Sequence, residues 1–128
     1  MAWKDNHPFS LRRLAKSFTY AFQGILYAIK NEKNFQIHVL AALAVMVCGI
    51  LLQLNKIEWL FIIICIFGMF SLELMNTAIE RAVDHHSKEI SPVAKQAKDL
   101  AAGAVLVYAL MSIVIGSVIF LPKFAALF

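Results

Sequence analysis

The run WLFIIICIFGMFSLELMNTAI, residues 59–79, carries a single charged-type side chain, Glu73. A helix needs roughly 20 apolar residues to cross a bilayer, so the run reads as a membrane-spanning helix with a carboxyl inside it. A carboxylate at that depth costs on the order of 3 kcal/mol unless it has a partner or a task. Working outward, Asn76, Glu80 and Asp84 follow Glu73 at offsets of three, four and four. On a helix with 3.6 residues per turn these four side chains share one face. Glu80 and Asp84 repel each other unless solvent screens them or a cation lies between. Mg2+ suits such a place, because it is a hard ion that takes carboxylate and phosphate oxygens. The plain alternative is a solvated helix end above one buried, neutral glutamic acid.

Two further runs have the same apolar character. Asn34 to Asn55 lacks Asp, Glu, Lys and Arg, and so does Leu100 to Pro122. The chain is 61% hydrophobic with a mean hydropathy of +0.74, above what a water-soluble domain of 128 residues carries. The pattern predicts transmembrane helices over about 34–54, 59–84 and 92–121. Gln53 to Lys56 is short, which makes the first two antiparallel neighbours. Trp59 suits an interface, and Ser91–Pro92 reads as a cap followed by proline in the first turn. Ahead of them, Leu11, Leu14, Phe18, Phe22, Ile25 and Ile29 recur at helical spacing over about 9–30, with Arg12, Arg13, Lys16 and Gln23 off the stripe. Pro8 is an acceptable start signal, and such a helix lies in the membrane interface or packs on its neighbours in an oligomer. The fold expected is all-α and integral to the membrane: one domain over 1–128, an amphipathic surface helix plus three spans.

The net charge of +4 does not point to nucleic acid, because the basic residues follow topology. Six precede the first span (Lys4, Arg12, Arg13, Lys16, Lys30, Lys33), and Lys56 stands alone in the first turn. Arg81, Lys88, Lys95 and Lys98 lie between spans two and three, and Lys123 closes the third. The alternation places the N-terminus and the second loop in the cytoplasm, and the Lys56 turn and C-terminus outside. No h-region-length apolar run occurs in the first thirty residues, so the first span is expected to be retained rather than cleaved. Cys48 and Cys65 sit within apolar runs and read as reduced packing residues. Phosphate-cradling glycine loops are missing. His85–His86 has no cysteine or third histidine beside it, which argues against zinc.

Glu32, Glu80, Asp84, Lys98 and Asp99 all fall at one predicted membrane face. Glu73 lies about 10 Å deeper than Glu80, at 1.5 Å per residue. That arrangement suits a reaction joining a water-soluble polyanion to a lipid headgroup. Taken singly, each interfacial charge is better explained by solvation or snorkelling, and only their convergence points to a site. Intramembrane glutamates also serve proton- or cation-coupled transporters, and that reading stays open from the residues alone. A purely structural membrane adaptor is a third.

The segments Glu73-Leu-Met-Asn76-Thr-Ala-Ile-Glu80-Arg-Ala-Val-Asp84 and Ala97-Lys98-Asp99-Leu-Ala-Ala-Gly-Ala-Val105, with Asn31-Glu32 and Phe35 ahead of them, resemble the small prokaryotic diacylglycerol kinases. The resemblance covers essentially the whole chain. It implies a homotrimeric lipid kinase of the bacterial cell membrane, with active sites shared between subunits and ATP and Mg2+ as co-substrate and metal. It assigns Glu73 as general base and Asn76 as the group orienting Glu73 or the acceptor hydroxyl. Glu32 and Glu80 would hold the metal with the ATP phosphates, and Lys98 would neutralise phosphate charge. Arg13, Tyr20, Glu89 and Asp99 would line the nucleotide, and Phe35 with Glu73 would meet the lipid. Ala21 and Ala101-Ala102-Gly103-Ala104 stand where the diacylglycerol-specific branch carries serines. The resemblance therefore favours the branch acting on undecaprenol, with diacylglycerol as the alternative lipid.

Overall fold

A computed structural model describes residues 10–86, 89 and 91–128. The described residues form four helices: α1, Leu11–Asn31; α2, Lys33–Leu51; α3, Lys56–His86; and α4, Pro92–Ala125. Pro8 and Phe9, expected at the start of the first helix, lie outside the described residues, as does Lys88 in the second loop. The chain divides into two units, 1–32 and 33–128.

In the first unit, α1 carries its apolar stripe uncovered, with Leu11, Leu14, Phe18, Phe22, Ile25 and Ile29 all exposed. An uncovered stripe beside exposed Arg12 and Lys16 is the signature of an interfacial amphipathic helix. The helix stops where Glu32 turns to extended backbone, its N–H still bonded to the Ala28 carbonyl.

In the second unit, α3 packs against α4 along much of its length and against α2 more briefly. All three helices are long and apolar enough to cross a bilayer. Each begins or ends a few residues from its predicted bound, for local reasons. α2 ends at Leu51 rather than Leu54, because Gln53 takes a left-handed φ of 54° and closes a tight turn. The Leu54 N–H returns to the Gly49 carbonyl at 3.1 Å. α3 begins at Lys56, ahead of Trp59, through a reciprocal capping box. Asn55 Oδ1 accepts from the Glu58 N–H, and Glu58 Oε2 accepts from the Asn55 N–H, both at 2.9 Å. Lys123 Nζ reaches the same Glu58 at 3.2 Å and ties the far end of α4 to this turn. Ser91 caps α4 as expected, its hydroxyl accepting from the Ala94 N–H at 3.0 Å. The helix then continues through Pro122 to Ala125.

Leu54, Ile62 and Ile119 form the core beside the capped turn, with Trp59, Ile66 and Phe120 packed on it. Midway along α3, Tyr108 of α4 crosses Gly68 and donates its hydroxyl to the Ile64 carbonyl at 2.6 Å. A Cβ at Gly68 would overlap that hydroxyl. Glycine is required there because it lets the two helices approach closely. Apart from these contacts the spans bury little of themselves: only 6% of the most apolar window of α4 is buried. Its outer faces need lipid or other copies of the chain to cover them.

Gly68→Ala is expected to destabilise the protein by about 1–3 kcal/mol through overpacking against Tyr108. Gly116, with open space around its Cα, is the control, and Gly116→Ala should leave stability unchanged or raised. Thermal unfolding of both variants in detergent micelles checks this.

Candidate active site

The acidic stripe on α3 descends from solvent into the helix packing. Asp84 is exposed and Glu80 half-buried, while Asn76 is 7% and Glu73 3% exposed. Helical spacing places the four on one face, and the antiparallel neighbours cover its deeper part. Two contacts interlock that part with α2. The rings of Phe35 and Phe70 meet with centroids 5.3 Å apart, and His38 Nε2 stands 3.9 Å from Glu73 Oε2. Phe35, expected to meet the lipid with Glu73, is buried against Phe70, one turn before Glu73 on α3.

Asn76 Oδ1 is buried without a hydrogen-bond partner among the described residues. A buried acceptor left unmet costs about 1–3 kcal/mol, and such a group calls for an explanation. Beside a buried carboxyl, the simplest one is an amide with capacity left for a ligand group. An apolar groove of about 610 Å3 runs from His38 along α2, α3 and α4 towards Phe124, past Met69, Cys65 and Ser112. Cys48 and Cys65 are free thiols lining that groove.

At the solvent end, Lys98 Nζ of α4 reaches Asp84 Oδ1 of α3 at 2.5 Å, and the Glu80 charge also acts on it. Glu80, Asp84 and Lys98 thus form one group across two helices. Asp99, expected in that group, instead pairs with Lys95 one turn earlier on its own helix at 2.6 Å, and both side chains are largely exposed. A Mg2+ ion held between Glu80 and Asp84 also meets a difficulty: Asp84 already has a cation. Among the described residues no three His, Cys, Asp or Glu side chains gather as a metal cluster. A half-buried Glu80 still fits Mg2+, which takes one or two protein carboxylates and fills its shell with water and phosphate oxygens.

The remaining expected residues belong to other segments of the chain. Arg13, half-buried, and Tyr20, exposed, are on α1, and Glu32 is its half-buried C-cap. All three belong to the first unit. Glu89 is exposed in the bend before α4. His38 was absent from the sequence expectations, although it is the sole histidine in the first apolar run. Counting only Asp, Glu, Lys and Arg as breaks in that run concealed it.

A profile of prokaryotic diacylglycerol kinases matches residues 19–120. The chain belongs to the prokaryotic diacylglycerol kinase family. It is 52% identical to the undecaprenol kinase of Bacillus subtilis over 92% of this chain and 96% of that one. To the diacylglycerol kinase of Synechocystis it is 37% identical over 89% of this chain and 66% of the relative. To that of Escherichia coli it is 27% identical over 85% and 89%. As a member of this family the protein is a lipid kinase that uses ATP, and its apolar helices make it a bacterial membrane protein. The α3 stripe joins a polar end bearing Glu80, Asp84 and Lys98 to a buried acid, Glu73.

The Asp84 contact keeps Lys98 within reach of the Glu80 charge. Asp84→Asn is expected to raise the KM for Mg-ATP a few-fold with kcat little changed, and Lys98→Met to raise it further. In the double variant the two effects should not add, because each removes the same interaction. Steady-state ADP release against Mg-ATP concentration reads all three.

Proposed function

We propose that this protein phosphorylates undecaprenol at the expense of ATP, yielding undecaprenyl phosphate and ADP. One observation carries the mechanism: Glu73 is buried beside an amide with unmet capacity, on a helical face that surfaces at Glu80. The acceptor alcohol enters from the bilayer and brings its hydroxyl to Glu73. The Glu73 carboxylate takes the hydroxyl proton as the alcohol oxygen bonds to the γ-phosphorus. The bond from the γ-phosphorus to the β,γ-bridging oxygen breaks, and ADP leaves. Asn76 orients the hydroxyl or the carboxylate. Phe35 packs beside the lipid headgroup region.

Little covalent help is needed for such a transfer; alignment and charge neutralisation supply most of the rate. Glu80 and Glu32 are the proposed carboxylates for Mg2+, which when bound neutralises charge on the phosphates. Lys98 adds a positive charge at the same end, and Arg13, Tyr20, Glu89 and Asp99 are the proposed nucleotide contacts. Arg13, Tyr20 and Glu32 come from the first unit and the apolar faces of the spans are uncovered. Both facts favour a homotrimer in which the whole chain works as one kinase domain and neighbouring subunits complete each site. The cytoplasmic side is proposed for the N-terminus and the Glu80 end, where ATP is, with the C-terminus outside.

The choice of lipid rests on the 52% identity to an undecaprenol kinase and on Ala101-Ala102-Gly103-Ala104 after Asp99. Diacylglycerol is the second reading, since relatives named for it match most of the chain. Purified protein in mixed micelles with Mg-ATP should turn over undecaprenol with a kcat/KM at least about tenfold that for diacylglycerol, or ~1.4 kcal/mol in the transition state. A preference for diacylglycerol would reverse the assignment. No ADP release with any lipid alcohol would favour an ion-coupled transporter.

A further inference from the structure

We propose that His38 is a positioning residue for Glu73, holding its carboxylate towards the acceptor hydroxyl through an Nε2–H donor. The proposal rests on the reading of Glu73 as the base. Nothing in the motif around Glu73 names this histidine, because it comes from a different helix. His38 Nε2 stands 3.9 Å from Glu73 Oε2, a separation that a small rotation of either side chain closes to a hydrogen bond. The Glu73 side chain is 4% exposed and that of His38 is 26% exposed, so the contact spans the boundary between buried acid and open groove. Phe35 lies one turn before His38 on α2, and Phe70 one turn before Glu73 on α3. Their ring contact fixes the two backbones on which histidine and glutamate are mounted.

A carboxylate with two equivalent oxygens and a rotatable side chain does not point by itself. In a packed, low-dielectric setting a donor on one carboxylate oxygen fixes the direction of the whole group. His38 is well placed for this because it lines the apolar groove while its Nε2 stands 3.9 Å from Glu73 Oε2. The imidazole approaches the carboxylate from α2, a different helix from the one that carries Glu73. Losing that contact misaligns the base without emptying the nucleotide site, and misplacement on the order of 1 Å costs up to about 100-fold in rate.

Two measurements test the pairing. The first needs no turnover: imidazole 15N resonances of His38 are recorded for the full-length protein and for Glu73→Gln in micelles. A displacement of the His38 signals beyond their linewidth is expected; unchanged signals would overturn the contact. The second is kinetic. His38→Leu, which keeps bulk but no donor, should lower kcat roughly 10- to 100-fold with the KM for Mg-ATP unchanged. His38→Gln, which restores an N–H, should recover most of that loss. A His38→Leu enzyme with wild-type kcat, or a His38→Gln enzyme as slow as His38→Leu at an unaltered melting temperature, would overturn the role. Should the wild-type protein release no ADP with any lipid alcohol, the kinase reading fails instead, and the resonances still decide whether His38 and Glu73 meet.

Discussion

The burial of one carboxyl organises this protein. Glu73 sits in the middle of the apolar α3 at 3% exposure, where an acid carries a penalty that hydrophobic packing does not return. Several features around it lower or exploit that penalty. α2 brings His38 within ion-pair distance, Phe35 and Phe70 close the packing beside it, and Asn76 lies one turn along. Because α3 continues to His86, the same face that buries Glu73 delivers Glu80 and Asp84 to the polar boundary. The reaction then needs no moving parts within α3, since one rigid helix sets the spacing between the acid and the phosphate-facing groups.

What holds α3 in place is different in kind at its two ends. At one end the Asn55–Glu58 box and Lys123 fix its start against the tail of α4. At the other, Lys98 of α4 grips Asp84. Between them the Tyr108 hydroxyl bonds the Ile64 carbonyl across Gly68. Polar contacts therefore register α4 on α3 at the top, middle and bottom, while the apolar surface in between is left for lipid and neighbouring subunits. That division is reasonable in a bilayer, where apolar contacts between helices have no advantage over contacts with lipid tails.

The helices and the stripe were legible because they depend on residue type and periodicity within one segment. Three apolar runs, the i, i+3, i+4 spacing after Glu73 and the Ser91–Pro92 cap need no knowledge of neighbours. The departures come from side-chain pairings, some within a helix and some between helices. Asp99 pairs with Lys95, and Lys98 with Asp84, so the basic and acidic residues at the polar end sort into pairs that a list of charges could not assign. The early start of α3 was readable in principle, since Asn55-x-x-Glu58 is a capping-box pattern, but the eye follows hydropathy to Trp59. His38 was hidden for a physical reason as well. A histidine is apolar enough, when neutral, to pass inside a membrane run, and only the packing of α2 on α3 shows it facing an acid.

The central claim is that Glu73 removes the acceptor proton. Its most direct test is Glu73→Gln, which keeps size and hydrogen bonding but cannot take a proton, assayed for phosphorylated lipid alongside the dissociation constant for Mg-ATP. The account predicts a loss in kcat of about 100- to 10,000-fold with nucleotide affinity changed no more than a few-fold. A variant that keeps near-normal kcat, or loses activity only by failing to bind Mg-ATP, would contradict it.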